Sequence, residues 1–232
     1  MINKKQEELH EEKFQLERIA LFSDAVFAIA ITLLIIDIKV PEIKAVSISD
    51  KELVDILVDN INNFIAFIIS FFVIGLNWMG HHKLFGYVKH FNNKLLFNNL
   101  LFLLPIVIMP FSTSFLAHYH NYYGIKTLKL PIAVYMITIC LTGFFNFRLW
   151  RVIGNPQNKL SNNLNKIILR YNYCRTLVVP IVFIVAFLLS YLNPLITNII
   201  VYAVLPLTPL IIRFINVYFK RKYPAIMEGH VS

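Results

Sequence analysis

The sequence predicts an all-α membrane protein with six transmembrane helices per subunit. Three observations lead there. The chain is 57% hydrophobic with a mean hydropathy of +0.63, against about 45–50% apolar residues in an ordinary soluble domain. Apolar runs of about 20 residues, the length a helix needs to cross a bilayer, recur along the whole chain. The alternating segments of about ten residues that mark a membrane β-barrel are missing. Only helices satisfy their own backbone in such runs. The spans fall at about 18–38, 61–80, 95–116, 130–150, 174–192 and 195–219, within one domain covering residues 1–232.

Residues 1–17 are dense in both acids and bases, and the apolar stretch after them is too long for a signal-peptide core and lacks a small-residue cleavage site. The first span is therefore read as retained. It opens with Arg18, Phe22, Ser23 and Asp24 and continues through Ala25–Ile36. A carboxylate so placed costs about 2.5–3.5 kcal/mol on insertion scales, which makes Asp24 a site residue with a partner to be found. On an ideal helix Ile29, Leu33 and Ile36 fall within about 60° of one another, and Thr32 flanks them. Taken alone, that stripe fits a pore lining or an ordinary lipid-facing surface. Asp24 lies about 140° from Ile29, and Arg18 is six residues away, so the two are not an i,i+3 or i,i+4 pair. The partner of Asp24 must stand on another helix. Asp37, at the far end of the span, either pairs with Lys39 or contributes to a ring of carboxylates that gathers cations at an outer entrance.

The connection from Pro41 to Asn60 carries a capping box, Ser49 with Glu52 three positions on, ahead of the apolar stripe Leu53, Ile56 and Leu57. A short amphipathic helix is expected there. The second span ends in Trp78, His81 and His82, the third begins with Asn98 and Asn99, the fourth ends with Asn146 and Arg148, and the sixth carries Arg213. All stand at the level of Asp24, and a buried polar cluster is expected among them, because an unpaired carboxylate in hydrocarbon is too costly. Adjacent histidines point about 100° apart, so His81 and His82 do not form a metal site. The segment 154–165, Asn-rich with Pro156, reads as a loop. Prolines 105, 110, 180, 206 and 209 lie inside spans, where they act as kinks. Cys140 and Cys174 read as small buried hydrophobes, without disulfide or metal spacing.

Of the 22 Lys and Arg residues, 17 fall in segments 1–18, 81–94, 148–175 and 213–232, and five on the other side. Positive charge marks the cytoplasmic side, so both termini are expected there. The net charge of +9 thus sets topology, and its position in short connections argues against nucleic-acid binding. No nucleophile elbow, phosphate loop or metal-spaced carboxylate cluster appears, so neither an enzyme nor a cofactor is expected.

The run Arg18-x-x-x-Phe22-Ser23-Asp24, followed by Ala-Val-Phe-Ala-Ile-Ala-Ile-Thr-Leu-Leu and closed by Val40-Pro41, resembles the first-helix signature of the transmembrane protein 175 family. Trp78 with His81 and His82, and the third-span run from Asn99 through Pro105 to Pro110-Phe111-Ser112-Thr113, add to the likeness. The resemblance implies a potassium-preferring cation channel of the bacterial plasma membrane, lacking the Thr-Val-Gly-Tyr-Gly filter, assembled as a homotetramer with four first helices around the pore. It implies that Ile29, Leu33 and Ile36 form the constriction, that Thr32 supplies the hydroxyl layer tied to potassium preference, and that Arg18, Phe22, Ser23 and Asp24 position the helix. Potassium and other monovalent cations would be the permeant partners, with lipid around the assembly. The competing readings are an ion-coupled secondary transporter and a proton-permeable leak; no internal repeat of the transporter kind is evident.

Overall fold

A computed structural model describes residues 2–39, 49–120, 128–162, 164–192 and 194–227; the closing Val40-Pro41 of the first-helix signature lies outside them. At residues 2–5, 8, 9, 120, 190–192 and 194–206 only the backbone is described. The described residues are almost wholly helical: α1 (Ile2–Ile36), α2 (Asp50–Asp59), α3 (Ile61–Phe85), α4 (Asn93–His120), α5 (Lys129–Gly154), α6 (Lys166–Leu192), α7 (Pro194–Lys222) and α8 (Pro224–Met227), with a 3-10 turn at Pro156–Asn158.

Five of these helices are long and apolar enough to cross a membrane: His10–Ile36 of α1, Ile61–Phe85, Asn93–Tyr119, Lys129–Gly154 and Lys166–Leu189. The sixth expected span, 195–219, falls within α7. Two helices begin earlier than the spans inferred from hydropathy. The first starts at Ile2 rather than near residue 18, and α6 starts at Lys166 rather than near 174. The extra turns carry charges and polar side chains. They are helical because Glu, Lys, Gln and Leu are good helix formers, whereas hydropathy marks only the part at membrane depth.

α1, α3 and α4 pack on one another, α5 lies on α4, α6 on α5 and α7 on α6. α4 and α6 run as single helices through Pro105, Pro110 and Pro180. The α5–α6 contact is close because Gly143 faces the Pro180 ring. A Cβ at Gly143 would overlap that ring and lie 3.1 Å from the Thr176 carbonyl oxygen, the very carbonyl that Pro180, having no N–H, leaves without its helical donor. Cys140 is half-buried and Cys174 exposed, so the buried reading fails for Cys174.

α2 is built as its sequence dictates. Ser49 N–H and Oγ–H both donate to Glu52 Oε2 (2.7 and 2.8 Å), and Glu52 N–H donates back to Ser49 Oγ (3.4 Å). Leu53 and Leu57 remain exposed, an amphipathic helix beside α3. At the opposite end of the bundle the basic connections interlock. Lys89 N–H and His90 N–H donate to Leu160 O (2.8 and 3.3 Å), Asn92 Nδ2 donates to Asn158 O (3.2 Å), and His90 Nδ1 lies 2.7 Å from Glu12 Oε2 on α1. Segments that the charge count assigned to one side therefore meet at one end.

Two outcomes follow. Gly143→Ala should lower stability by about 1–3 kcal/mol through overpacking, whereas Gly75→Ala, where a Cβ meets nothing within 4 Å, should be neutral or slightly stabilising; matched melting curves in detergent decide, and equal melting points for the two variants would remove the close α5–α6 approach. The Glu52 carboxyl titrates below its usual range because the Ser49 backbone N–H and then its hydroxyl donate to the ionised form. Its support of α2 is thus complete above the titration range of a free glutamate, about pH 4.3, and fades as pH falls through the lowered value. NMR shifts of the Ser49 and Glu52 amides in micelles should show that loss on acidification in the wild type and no such step in Glu52→Gln.

Candidate functional site

The residues singled out at the start of α1 divide by face. Ser23, Phe27, Ala30 and Leu34 recur at helical spacing and are buried: Phe27 is 1% exposed, Ala30 2% and Leu34 3%. This stripe sits against α3 and α4. The stripe Ile29, Leu33 and Ile36 lies off it, at 58%, 41% and 68% exposure. Thr32 is also exposed, and its hydroxyl donates to Ile29 O at 2.9 Å. Arg18 and Phe22 are exposed as well, with the Arg18 guanidinium 6.0 Å from the Phe14 ring. Asp37 is exposed just past the end of α1 and forms no ion pair, with Lys39 or otherwise, among the described residues.

Asp24 and Ser23 reach α3 and α4. Trp78 Nε1 donates to Asp24 Oδ1 at 2.8 Å, so the carboxylate finds its partner on another helix. Beside it runs a buried chain of three side chains. Ser23 Oγ donates to Ile19 O (2.9 Å). That spends its only proton, so it can only accept from Asn99 Nδ2 (2.9 Å). The amide orientation follows: Asn99 Oδ1 faces His81 Nε2 at 2.8 Å, and since an amide oxygen only accepts, that ring nitrogen carries the proton. His81, 2% exposed, is walled by aromatic rings from all three helices, stacked on Phe102 (5.4 Å between centroids) and flanked by Phe85 (4.5 Å) and Phe27 (5.6 Å).

Not every residue expected in this cluster joins it. His82 is exposed and packs on Trp78 from outside, 6.1 Å between ring centroids. Asn98 is buried, but its Nδ2 donates to Lys94 O of its own helix (2.7 Å), and Oδ1 has no partner among the described residues. Arg148 is exposed on α5, and Asn146 and Arg213 stand on α5 and α7, away from α1. The reason is rotation about the helix axis: depth can be counted along a sequence, but only packing decides which side chain at that depth turns inward. Sequence reasoning also missed a second buried cluster. Thr113 Oγ1 lies 2.8 Å from Ser70 Oγ and 2.8 Å from Met109 O, and Ser70 Oγ lies 3.1 Å from the Tyr135 hydroxyl, tying α3, α4 and α5 together. Hydroxyls inside apolar runs were the available signal. Among the described residues no group of His, Cys, Asp and Glu could hold a metal ion.

Long apolar helices locked by buried polar side chains define a multi-pass helical membrane protein. Residues 18–110 match the family model described as endosomal/lysosomal potassium channel TMEM175. A potassium channel of Streptomyces collinus is 43% identical over 57 residues, 25% of this chain and 28% of that protein. One of Chamaesiphon minutus is 32% identical over 137 residues, 56% of this chain and 63% of that protein. The matched stretches thus span less than two thirds of these relatives' length. A crystal structure of a lysosomal potassium-selective channel TMEM175 homolog from Chamaesiphon minutus superposes with a TM-score of 0.68 at 27% identity, covering 90% of this chain and 97% of that one. A variant of the potassium channel MtTMEM175, crystallised with a nanobody–MBP fusion protein, shares the fold at 19% identity and a TM-score of 0.60, over 85% and 92%. These likenesses support a prokaryotic TMEM175 family member, a multi-pass protein of the bacterial cell membrane. The family is one of channels, not of enzymes.

Asn99→Ala would leave the His81 N–H without an acceptor where no water enters, a loss of about 1–3 kcal/mol. Asn98→Ala removes one bond within its own helix and should cost less. Detergent melting of both variants checks the order, and equal losses would mean that Asn99 is not the bridge between α1, α3 and α4.

Proposed function

We propose that the chain is one subunit of a homotetrameric, potassium-preferring cation channel, a single six-span unit with both termini in the cytoplasm and four α1 helices around the pore. The observation that supports this most directly is the division of α1 into two faces. One is packed away on α3 and α4, and the other holds Ile29, Thr32, Leu33 and Ile36 exposed in line. A helix sealed on one side and bare on the other suits the axis of an oligomer, and the relatives named potassium channels give the bare face its use.

The mechanism follows from pore physics. Four Ile29 side chains, with Leu33 and Ile36 layered beyond, exclude water when close together and block ions by dewetting. When the ring widens, a hydrated or partly hydrated ion passes. Selectivity is modest, because no cage of carbonyls replaces the hydration shell, and the Thr32 hydroxyl layer supplies the polar contact that favours potassium. Asp37, just beyond the layers, raises the local cation concentration at the outer mouth. Potassium is cargo here, and no cofactor is needed. Arg18, Phe22, Ser23 and Asp24 orient α1, with Ser23 and Asp24 acting through Asn99 and Trp78.

Planar-bilayer recording of the purified protein, with a potassium gradient opposed by sodium and a separate pH gradient, tests this. Wild-type openings should reverse towards the potassium potential, Thr32→Ala should shift that reversal, and Ile29→Asn should raise basal current by wetting the closed pore. Reversal that tracks the proton gradient would instead make the pore a proton leak. Silence together with saturable solute uptake in liposomes would replace the channel by a transporter.

A further inference from the structure

Away from α1, a cleft of about 590 Å³ lies between α3 on one side and α7 on the other, backed by α5 and α6. Its lining changes character along its length. At the end where the basic connections meet it is polar, with Lys83, Asn146, Arg175 and Arg213 among the lining residues. Further in, the walls are Phe72, Leu76, Val179 and Phe183. The Tyr171 hydroxyl donates to Asn216 Oδ1 at 2.9 Å, which sets the antiparallel register of α6 and α7 and brings Arg175 level with Arg213. Phe183 stands eight residues beyond Arg175, about 12 Å along the helix, and Phe72 eleven residues from Lys83, about 16 Å.

Two arginines at one level repel each other, and no aspartate or glutamate lines the cleft. Neither arginine is in an ion pair among the described residues. Guanidinium forks and amide N–H groups match phosphate oxygens. The apolar walls behind them suit an acyl chain, and each reaches about half the depth of the 30 Å hydrocarbon core. We propose that this cleft binds an anionic glycerophospholipid from the leaflet at the basic end of the bundle, with the headgroup phosphate between Arg175 and Arg213 and one acyl chain along Phe72, Leu76 and Phe183. A free phosphate would leave the apolar walls unfilled. The inference needs only the membrane setting and stands whether or not the protein conducts potassium.

Native mass spectrometry of the purified full chain in detergent, titrated with phosphatidylglycerol or phosphatidylcholine of matched acyl chains, tests it. The wild type should retain phosphatidylglycerol in preference to phosphatidylcholine, and the double variant Arg175→Gln, Arg213→Gln should lower that retention roughly thirtyfold. Gly80→Trp, placed where a Cβ meets nothing within 4 Å, should obstruct the cleft with both arginines intact and lower retention of both lipids. Equal wild-type retention of the two lipids overturns the proposal even if neither variant folds. So does unchanged retention in folded variants, displacement of the lipid by millimolar inorganic phosphate, or a wild type that takes up no lipid because a second copy of the chain fills the cleft.

Discussion

A polar side chain inside an apolar helix has no water to turn to, and Asn99 answers that constraint for three helices at once. Its amide hydrogens reach Ser23 on α1 and its oxygen reaches His81 on α3. Each bond is worth little while water can replace it, and much more where nothing can. Moving α1 by one residue along its axis or turning it by one position would take Ser23 away from the buried Asn99 amide and leave that N–H without its acceptor. The bridge therefore sets the depth and rotation of α1, and with them which face it buries and which it leaves bare. The Trp78–Asp24 bond repeats the same constraint at a half-buried position one residue on.

What could be read beforehand divides along the same line. Local chemistry was legible: the capping box at Ser49 and Glu52, the break around Pro156, the apolar lengths and the end of the bundle to which the basic segments belong. So was the need of Asp24 for a partner on another helix, because its spacing from Arg18 ruled out a local one. Helix ends were not legible, since α1 and α6 continue into charged sequence that satisfies a helix without satisfying a bilayer. Nor was rotation, which is why Asn98, His82 and Arg148 stood at the right depth and on the wrong side. The 100° between neighbours already required that only one of His81 and His82 enter the core. Which one is decided by Phe27, Phe85 and Phe102, side chains from three separate stretches of sequence that meet only in the fold.

The two halves of the bundle are held differently. Around α1, α3 and α4 the contacts are polar and specific, and a second set at Ser70, Thr113 and Tyr135 carries them across to α5. Between α5 and α6 the fit depends on shape instead, with Gly143 admitting the Pro180 ring, while a single Tyr171–Asn216 bond sets α7 against α6. Small residues and hydroxyls are what apolar surroundings reward, because burying another leucine gains nothing over lipid. The outer half also contains the cleft, where close packing between α3 and α7 is given up.

In the proposed channel, this arrangement would restrict how a pore lined by α1 changes width. Turning α1 alone would break its bonds to Asn99 and Trp78, the first of them in a place where water cannot compensate. Moving α1, α3 and α4 as one block breaks none of them. The same block includes the basic end, since Glu12 on α1 meets His90 and the neighbouring backbone of the α3–α4 connection bonds to Leu160. α1 is a single helix from Ile2 to Ile36, so Glu12 and Ile29 are rigidly related across about 25 Å. In the proposed channel, widening at Ile29 would then be coupled to displacement at the basic end, and the α5–α6 connection bonded there and the Ser70–Tyr135 contact to α5 would have to yield or move with it.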